Sequence, residues 1–330
     1  MNASRCRGFV LVSSIWLTLL MLFFAGLLSY YASAQLDRAA YAKKRYENQL
    51  DFLGTEQTLI YLLATRPVLR EGIKISGDVE GFIRVDGEVY EGLGDTCFSV
   101  TDYAGLVGLN TLTNYHLATL LEDFESSELV RDSLLHSLYD YIDLDDFAHL
   151  NGGEDAAYRI AKLSPPTNDY LRSPVELRKV IHWSAWLSEN TEFDVDWLST
   201  NWRSRINLNA VPVDLFNRVL RLPTQEAERL LNRRTRLPFE NMEDVASLLN
   251  FRSELDDDYF TFLPSDKFRL RICSGSSRKM NTLAVRFTPL SMSAPWKIEY
   301  RYQSESEYLL GTSARSVGAR FFHRELSPAL

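Results

Sequence analysis

An uncharged N-terminal run constrains this chain of 330 residues more than any other feature. The 28 residues from Phe9 to Leu36 carry no charged side chain. About 20 apolar residues suffice for a helix to cross the hydrocarbon core of a bilayer, and Phe9–Leu28 has that length. Arg5 and Arg7 precede the run, which predicts a cytoplasmic N-terminus by the positive-inside rule. No second such run follows, so the rest of the chain is expected outside the cytoplasm.

The run has two readings from its residues alone. The letters ASA at 32–34, followed by Gln35, fit the small-residue pattern of a signal-peptidase site. Against this, the apolar core of a signal peptide is typically about 7–15 residues long. Helical spacing of apolar residues also continues to Ile60, and the first strong breaker is Pro67. A continuous helix over Phe9–Thr65 is therefore predicted beside the signal-peptide alternative.

Composition and motifs exclude several classes of function. With 45% hydrophobic and 24% charged residues the chain is globular, and its net charge of −8 disfavours a general grip on nucleic acid. The three cysteines, Cys6, Cys97 and Cys273, form no CxxC motif. The histidines and serines form no HExxH or GxSxG motif, and no carboxylate pair stands out. We therefore predict a protein without catalytic activity.

Two strand-rich regions flank a helical block. FIRVDGEVYE at 82–91 alternates around Asp86-Gly87, which predicts a hairpin. Further strands are predicted at 97–100, 268–273, 282–288 and 296–303. About 160 residues between them have helical spacing. Within this block GLNTLTNYHLATLL (108–121) and NLNAVPVDLFNRVL (207–220) share a Leu-Asn pair before a helix. This similarity indicates either an internal duplication or two unrelated amphipathic helices.

The N-terminal pattern resembles type IV pilins and the pseudopilins of type II secretion. It has a short basic leader ending in glycine, then a large apolar residue, then a long helix. The resemblance implies that a prepilin peptidase cuts between Gly8 and Phe9. Most members carry glutamate at the fifth mature position, which is Ser13 here. That departure is typical of one minor class, the K pseudopilins.

The helical block carries phrases, in order, that are similar to those of the K pseudopilin family. They are VTDYAGLVGLN (100–110), SLYDYIDLDDFAHLNGGEDAAY (137–158), SPVELRKV (173–180), INLNAVPVDLFNRVL (206–220) and ERLLNRRTRLPFENMEDVASLL (228–249). The resemblance covers most of residues 5–290. It implies an α+β, pilin-like fold with a long N-terminal helix, a small antiparallel sheet and a large inserted all-α domain containing helix-hairpin-helix or SAM-like units. The domains implied are a leader at 1–8, a helix at 9–66, a first sheet portion at 67–105, the insertion at 106–265, and the remaining sheet with a tail at 266–330.

The resemblance also implies a function. A K pseudopilin is a single-pass inner-membrane protein with a periplasmic domain, at the tip of a short pseudopilus. Its expected partners are pseudopilins of the I and J classes, the prepilin peptidase and the inner membrane, with no nucleic acid. Two alternatives remain open: an anchored or secreted periplasmic binding protein, and a DNA-binding competence or type IV pilus component.

An acidic loop is the candidate metal site. Its carboxylates are Asp140, Asp143, Asp145, Asp146, Glu154 and Asp155, around Gly152-Gly153. The candidate ligands among them are Asp143, Asp145, Asp146, Glu154 and Asp155. Alternating carboxylates near a tight turn suit a hard cation with oxygen ligands, whereas a solvated acidic loop is the simpler reading of the residues alone. The K pseudopilin resemblance implies structural Ca²⁺ in the helical domain.

The predicted removal of the leader determines which cysteines are available for a disulfide. Removal of the leader takes away Cys6 and leaves Cys97 and Cys273 in an oxidising compartment. Both lie at strand ends that flank the helical block, so a disulfide closing its base is predicted. Two buried free thiols are the alternative.

Overall fold

The computed structural model describes residues 7–75, 81–111, 114–249, 257–274 and 277–305, with only the backbone at 7–10, 274, 277–279 and 305. Most of the predicted leader and the tail at 306–330 lie outside the described residues. Contacts divide the chain into a unit ending at Asp51 and a unit beginning at Phe52. The helices are α1 Arg7–Thr65, α2 Tyr115–Glu122, α3 Glu128–Ile142, α4 Asp155–Ile160, α5 Trp183–Glu189, α6 Val213–Leu220, α7 Thr224–Arg236 and α8 Met242–Ala246.

Strands occur at both ends of the second unit. Short ones are β1 Val68–Leu69, β2 Gly72–Lys74, β3 Phe82–Ile83, β6 Val107–Gly108, β7 Leu198–Ser199, β8 Ile206–Asn207 and β9 Phe260–Thr261. The longer ones are β4 Asp86–Glu91, β5 Thr96–Asp102, β10 Lys267–Ser274, β11 Ser277–Phe287 and β12 Trp296–Glu305. These five form an antiparallel sheet in the order β12-β11-β10-β5-β4. Strands from both ends of the chain thus share one sheet, and helices α2–α8 lie between them in sequence.

Two hydrophobic cores confirm this plan of a sheet with an insertion. Buried apolar residues of the sheet, such as Phe98 and Leu270, pack with Leu59 and Leu62 from the end of α1. The helical block has its own core, in which Trp183 is fully buried. Because each core is contiguous within itself, the inserted helices form a separate layer of packing. The α+β, pilin-like fold predicted from the sequence is correct.

The predicted hairpin around Asp86-Gly87 is wrong. Both residues lie within β4, which pairs with β5, and the register shifts between Asp86 and Val89. Gly87 has a φ of 87°, a value that favours glycine. Ion pairs with Arg84 and Arg234 hold the Asp86 carboxylate in the protein interior. Asp86 and Gly87 therefore form a bulge within β4 instead of a turn between two strands.

Those ion pairs connect the helical block to the sheet. Arg234 of α7 is buried and donates to Asp86 Oδ2 at 3.0 Å and to the carbonyls of Leu208 and Val211. Arg84 donates to the same carboxylate oxygen at 2.6 Å. Burial alone would raise the pKa of Asp86, but the two guanidinium groups lower it overall. The carboxylate therefore stays ionised and paired.

The helical block is built from two matching halves. Asn110 follows β6, receives a hydrogen bond from the Leu171 amide and donates to the carbonyls of Leu171 and Thr200. Its counterpart Asn209 follows β8 and has the same pattern. It receives a bond from the Phe239 amide and donates to the carbonyls of Phe239 and Phe262.

The surrounding strands repeat the match. Strand β6 pairs in parallel with β7, and Thr200 directly follows β7. Strand β8 pairs in parallel with β9, and Phe262 directly follows β9. Helices α2 and α6 then begin a few residues after the two asparagines. Since unrelated amphipathic helices would not share these backbone partners, the Leu-Asn repeat reflects an internal duplication.

Candidate functional site

The acidic loop begins where α3 ends. Asp140 on α3 is fully buried and receives hydrogen bonds from the His149 amide at 3.1 Å and the Gly153 amide at 2.7 Å. The His149 ring also contacts this carboxylate through Nδ1. A Cβ at Gly152 would lie 2.0 Å from Asp140 Oδ2, so only glycine fits there. Asp140 thus organises the turn that carries the other acidic residues.

Two carboxylate oxygens in this loop are shielded from solvent without a hydrogen-bond partner among the described residues. They are Asp143 Oδ1 and Glu154 Oε1. Burial, and then the charges of Asp140 and Asp143, raise the pKa of Glu154 to about 7. Burial, and then the charge of Asp145, likewise raise the pKa of Asp143. Burial and neighbouring negative charge therefore disfavour the ionised form of both carboxylates, and a bound cation would offset this effect.

The other predicted ligands have different surroundings. Asp145 and Asp146 lie exposed in the loop, and Asn168 Nδ2 donates to Asp146 Oδ1 at 3.4 Å. Their charges contribute to the raised pKa of Glu154. Asp155 is at the start of α4 and pairs with Arg159 on the same helix. The charges of Asp143, Asp145 and Asp146 therefore act on Glu154, whereas Asp155 lies in a surface ion pair.

Sequence reasoning did not select Asp140 and His149 as members of the site. Carboxylate and ring atoms of Asp140, Asp143 and His149 all lie within 4.8 Å of one another. Asp140 lies in the last turn of α3 and Asp143 is the first residue after that helix, so their short separation in sequence could have identified Asp140 as a ligand beside Asp143. His149 carried no such signal, because the loop conformation alone brings its ring back to α3.

Cys97 and Cys273 are joined by a disulfide. They are direct neighbours in the pairing of β5 with β10, and their Cα atoms lie 5.1 Å apart. The bond links residues 176 positions apart. Since the whole helical block lies between them in sequence, the disulfide closes the insertion at its base, as the sequence predicts.

The predicted processing site lies at the start of α1. Gly8 and Phe9 belong to this helix by their backbone, which is all that the structure describes at these two positions. Ser13 is an exposed residue of the same helix. The helix does not end at Gln35 but continues to Thr65, as predicted.

Among the described residues, one helix is long and apolar enough to cross a membrane. Its relevant portion is Leu11–Thr65, near the N-terminus, and its most apolar window is unburied. A signal sequence would pass the same test of length and composition. The helix is therefore a candidate single membrane span.

The helix-hairpin-helix-like pair consists of α6 and α7. Their connection contains Pro223, which offers no amide hydrogen. Of the arginines that could contact nucleic acid, Arg234 is buried against Asp86, and Arg233 donates to the carbonyl of Leu237. Arg236 is exposed. The geometry favours a packing role for this pair of helices.

These observations define the class of fold. A long apolar helix leads into an antiparallel sheet, and a mainly helical domain is inserted between the strands, which is a pilin-like α+β arrangement.

A solved structure makes the class more specific. The chain matches "The Crystal Structure of the GspK-GspI-GspJ complex from enterotoxigenic Escherichia coli Type 2 Secretion System" with a TM-score of 0.55 and 15% sequence identity. The match covers 82% of this chain and 100% of that chain. No family model matches the sequence, and no curated protein matches it. At this identity the comparison establishes the fold alone, which this chain shares with a chain of that complex.

Proposed function

We propose that this chain is a minor pseudopilin of a type II secretion system, of the K class, at the tip of the periplasmic pseudopilus. The observation that carries the proposal is the shared fold over 82% of the chain, including the insertion between strands of the sheet. The matched assembly contains GspI and GspJ. Pseudopilins of the I and J classes are accordingly the proposed partners of this chain.

The proposed mechanism is mechanical rather than catalytic. The apolar part of α1 is held in the inner membrane with its N-terminus in the cytoplasm, and the second unit lies in the periplasm. A prepilin peptidase removes the leader after Gly8. A subunit with Ser13 instead of glutamate lacks the carboxylate that would pair with the N-terminal amine of a subunit above it. This fits a subunit that ends the fibre.

Calcium is the proposed structural cation of the acidic loop. Asp143 and Glu154 would supply the two unpartnered shielded oxygens, and Asp145 and Asp146 would supply further oxygens at the rim. Bound Ca²⁺ would offset the repulsion that raises the pKa of Glu154. It would thereby fix the turn between α3 and α4.

The mass of the mature chain distinguishes the proposal from a cleaved periplasmic binding protein. We expect intact-mass spectrometry of the chain, co-expressed with a prepilin peptidase, to give a start at Phe9. A Gly8→Leu variant should remain uncut, and a Gly26→Leu variant in the same helix should be cut normally, since a side chain at Gly26 meets no other atom within 4 Å. A start at Gln35 would identify a signal peptide and reject the proposal.

A further inference from the structure

The first half of the helical block has an open pocket of about 470 Å³, and the bridging asparagine of that half, Asn110, lines it. Asn110 and Thr111 line its base, and the flanking residues Tyr170 and Trp202 line its sides. Tyr170 directly precedes Leu171, the main partner of Asn110, and Trp202 follows two residues after its second partner, Thr200. We call this cavity the Asn110 pocket.

In the second half of the block, another part of the chain covers the surface that corresponds to the Asn110 pocket. Counting from the bridging asparagines, Thr111 corresponds to Ala210. Ala210 is fully buried and belongs to the core of the sheet. The turn at Tyr103–Gly105 approaches it so closely that a Cβ on Gly105 would lie 2.3 Å from the Ala210 carbonyl oxygen. In the second half this face is therefore a docking surface that a turn of the sheet already covers.

The residue types at matching positions of the two halves differ in line with this difference in coverage. Tyr170 corresponds to Pro238, and Trp202 corresponds to Pro264. Where the second half places two prolines, the first half places two aromatic side chains with exposures of 59% and 60%. Leu144 at the same pocket is 88% exposed. Large apolar groups gathered at an open cavity are a recognised mark of a protein contact surface.

The rim of the Asn110 pocket carries negative charge. Asp143 and Asp169 both line it. Asp169 has an exposed ion pair with Arg172, at 3.8 Å, and Asp143 Oδ1 lacks a hydrogen-bond partner among the described residues. The guanidinium of Arg203 lies 5.4 Å from the Trp202 ring centroid, so this indole already packs against a cation.

We propose that the Asn110 pocket binds a segment of another protein that carries lysine or arginine beside an apolar side chain. The apolar side chain would lie against Ile142 and Leu144, and the cation would lie between the carboxylates and the aromatic rings. A volume of about 470 Å³ accommodates a few side chains of such a segment. In the second half, the turn at Tyr103–Gly105 makes the corresponding contact within the chain. The inference goes beyond a tip role, and the pocket shares Asp143 with the proposed calcium site.

The test uses the full chain in phosphatidylcholine nanodiscs with EDTA, so that no divalent cation competes for Asp143. Fluorescence anisotropy measures the dissociation constants of two labelled peptides, GLRFKG and GLEFEG, after subtraction of binding to empty nanodiscs. We expect the basic peptide to bind at least about tenfold more tightly than the acidic one. Equal binding of the two peptides, or binding of neither, would overturn the proposal.

Variants locate the contact. Trp202→Ala and Asp169→Asn should each weaken binding of GLRFKG by about five- to tenfold. Both side chains are exposed, so unchanged melting temperatures are expected and checked. Leu290→Ala and Asp95→Asn, at exposed positions that do not line the pocket, should leave the dissociation constant unchanged. If Trp202→Ala had no effect, or instead abolished self-association in sedimentation velocity, the proposed occupant would be wrong.

Discussion

Loss of the Cys97–Cys273 disulfide is expected to lower the free energy of unfolding of the second unit by about 4 kcal/mol. The bond closes a loop of 176 residues. In the chain-entropy account, cross-linking a loop of this length removes unfolded-state entropy equivalent to about 5 kcal/mol, and loss of a native disulfide typically costs about 2–5 kcal/mol. Cys273 is also buried, so its replacement removes some packing as well.

The measurement is denaturant unfolding of the full chain in detergent, with and without dithiothreitol. The wild type should lose stability on reduction, and the Cys97→Ala/Cys273→Ala double variant should be insensitive to the reductant. Thiol labelling of the denatured, unreduced protein provides the chemical check. Two labelled thiols in the mature chain, or equal unfolding midpoints in both conditions, would contradict the disulfide.

Saturating Ca²⁺ is expected to raise the melting temperature of the chain by about 5–10 °C at pH 7.5. Ligand at a hundred times its dissociation constant stabilises the folded state by about 2.7 kcal/mol, and in domains of this size each kcal/mol corresponds to about 2–4 °C. Glu154→Gln and Asp143→Asn should remove most of the shift because they delete the two shielded ligands. Asp155→Asn is the matched control, since Asp155 is engaged by Arg159.

The calcium effect should depend on pH in a defined direction. The folded pKa of Glu154 is about 7, above its ordinary value of 4.5. Without calcium its contribution to stability is therefore fully present below about pH 4.5 and is lost as the pH rises through about 7. Calcium requires the ionised form, so the calcium-induced shift should grow over the same interval. A shift of equal size at pH 5 and pH 7.5, or the same shift in Glu154→Gln, would place the ion elsewhere.

The sequence predicted features that depend on local pattern. The continuous helix follows from unbroken helical spacing up to Pro67, and strands β10, β11 and β12 follow from alternation of apolar and polar residues. The fold class was predicted because phrases resembling a known family occur in a fixed order. The cysteine pair was predictable because Cys97 and Cys273 are the two cysteines outside the predicted leader.

Features set by distant partners were harder to predict. Asp86-Gly87 has the letters of a hairpin turn, but Arg234, 148 residues further along, holds the carboxylate inside β4. His149 reaches the acidic site only through the conformation of the loop. The duplication was visible as two Leu-Asn pairs, yet its proof lies in hydrogen bonds to Leu171 and Phe239, residues that the pattern does not mark.

We propose that this chain is a pseudopilin that binds pseudopilins of the I and J classes. The most direct test is co-expression of the full chain with pseudopilins of these two classes, followed by affinity purification through a tag on the chain and size-exclusion chromatography. We expect one complex that contains all three proteins and that survives both steps. Elution of the chain without either pseudopilin, under conditions in which those two proteins bind each other, would contradict it.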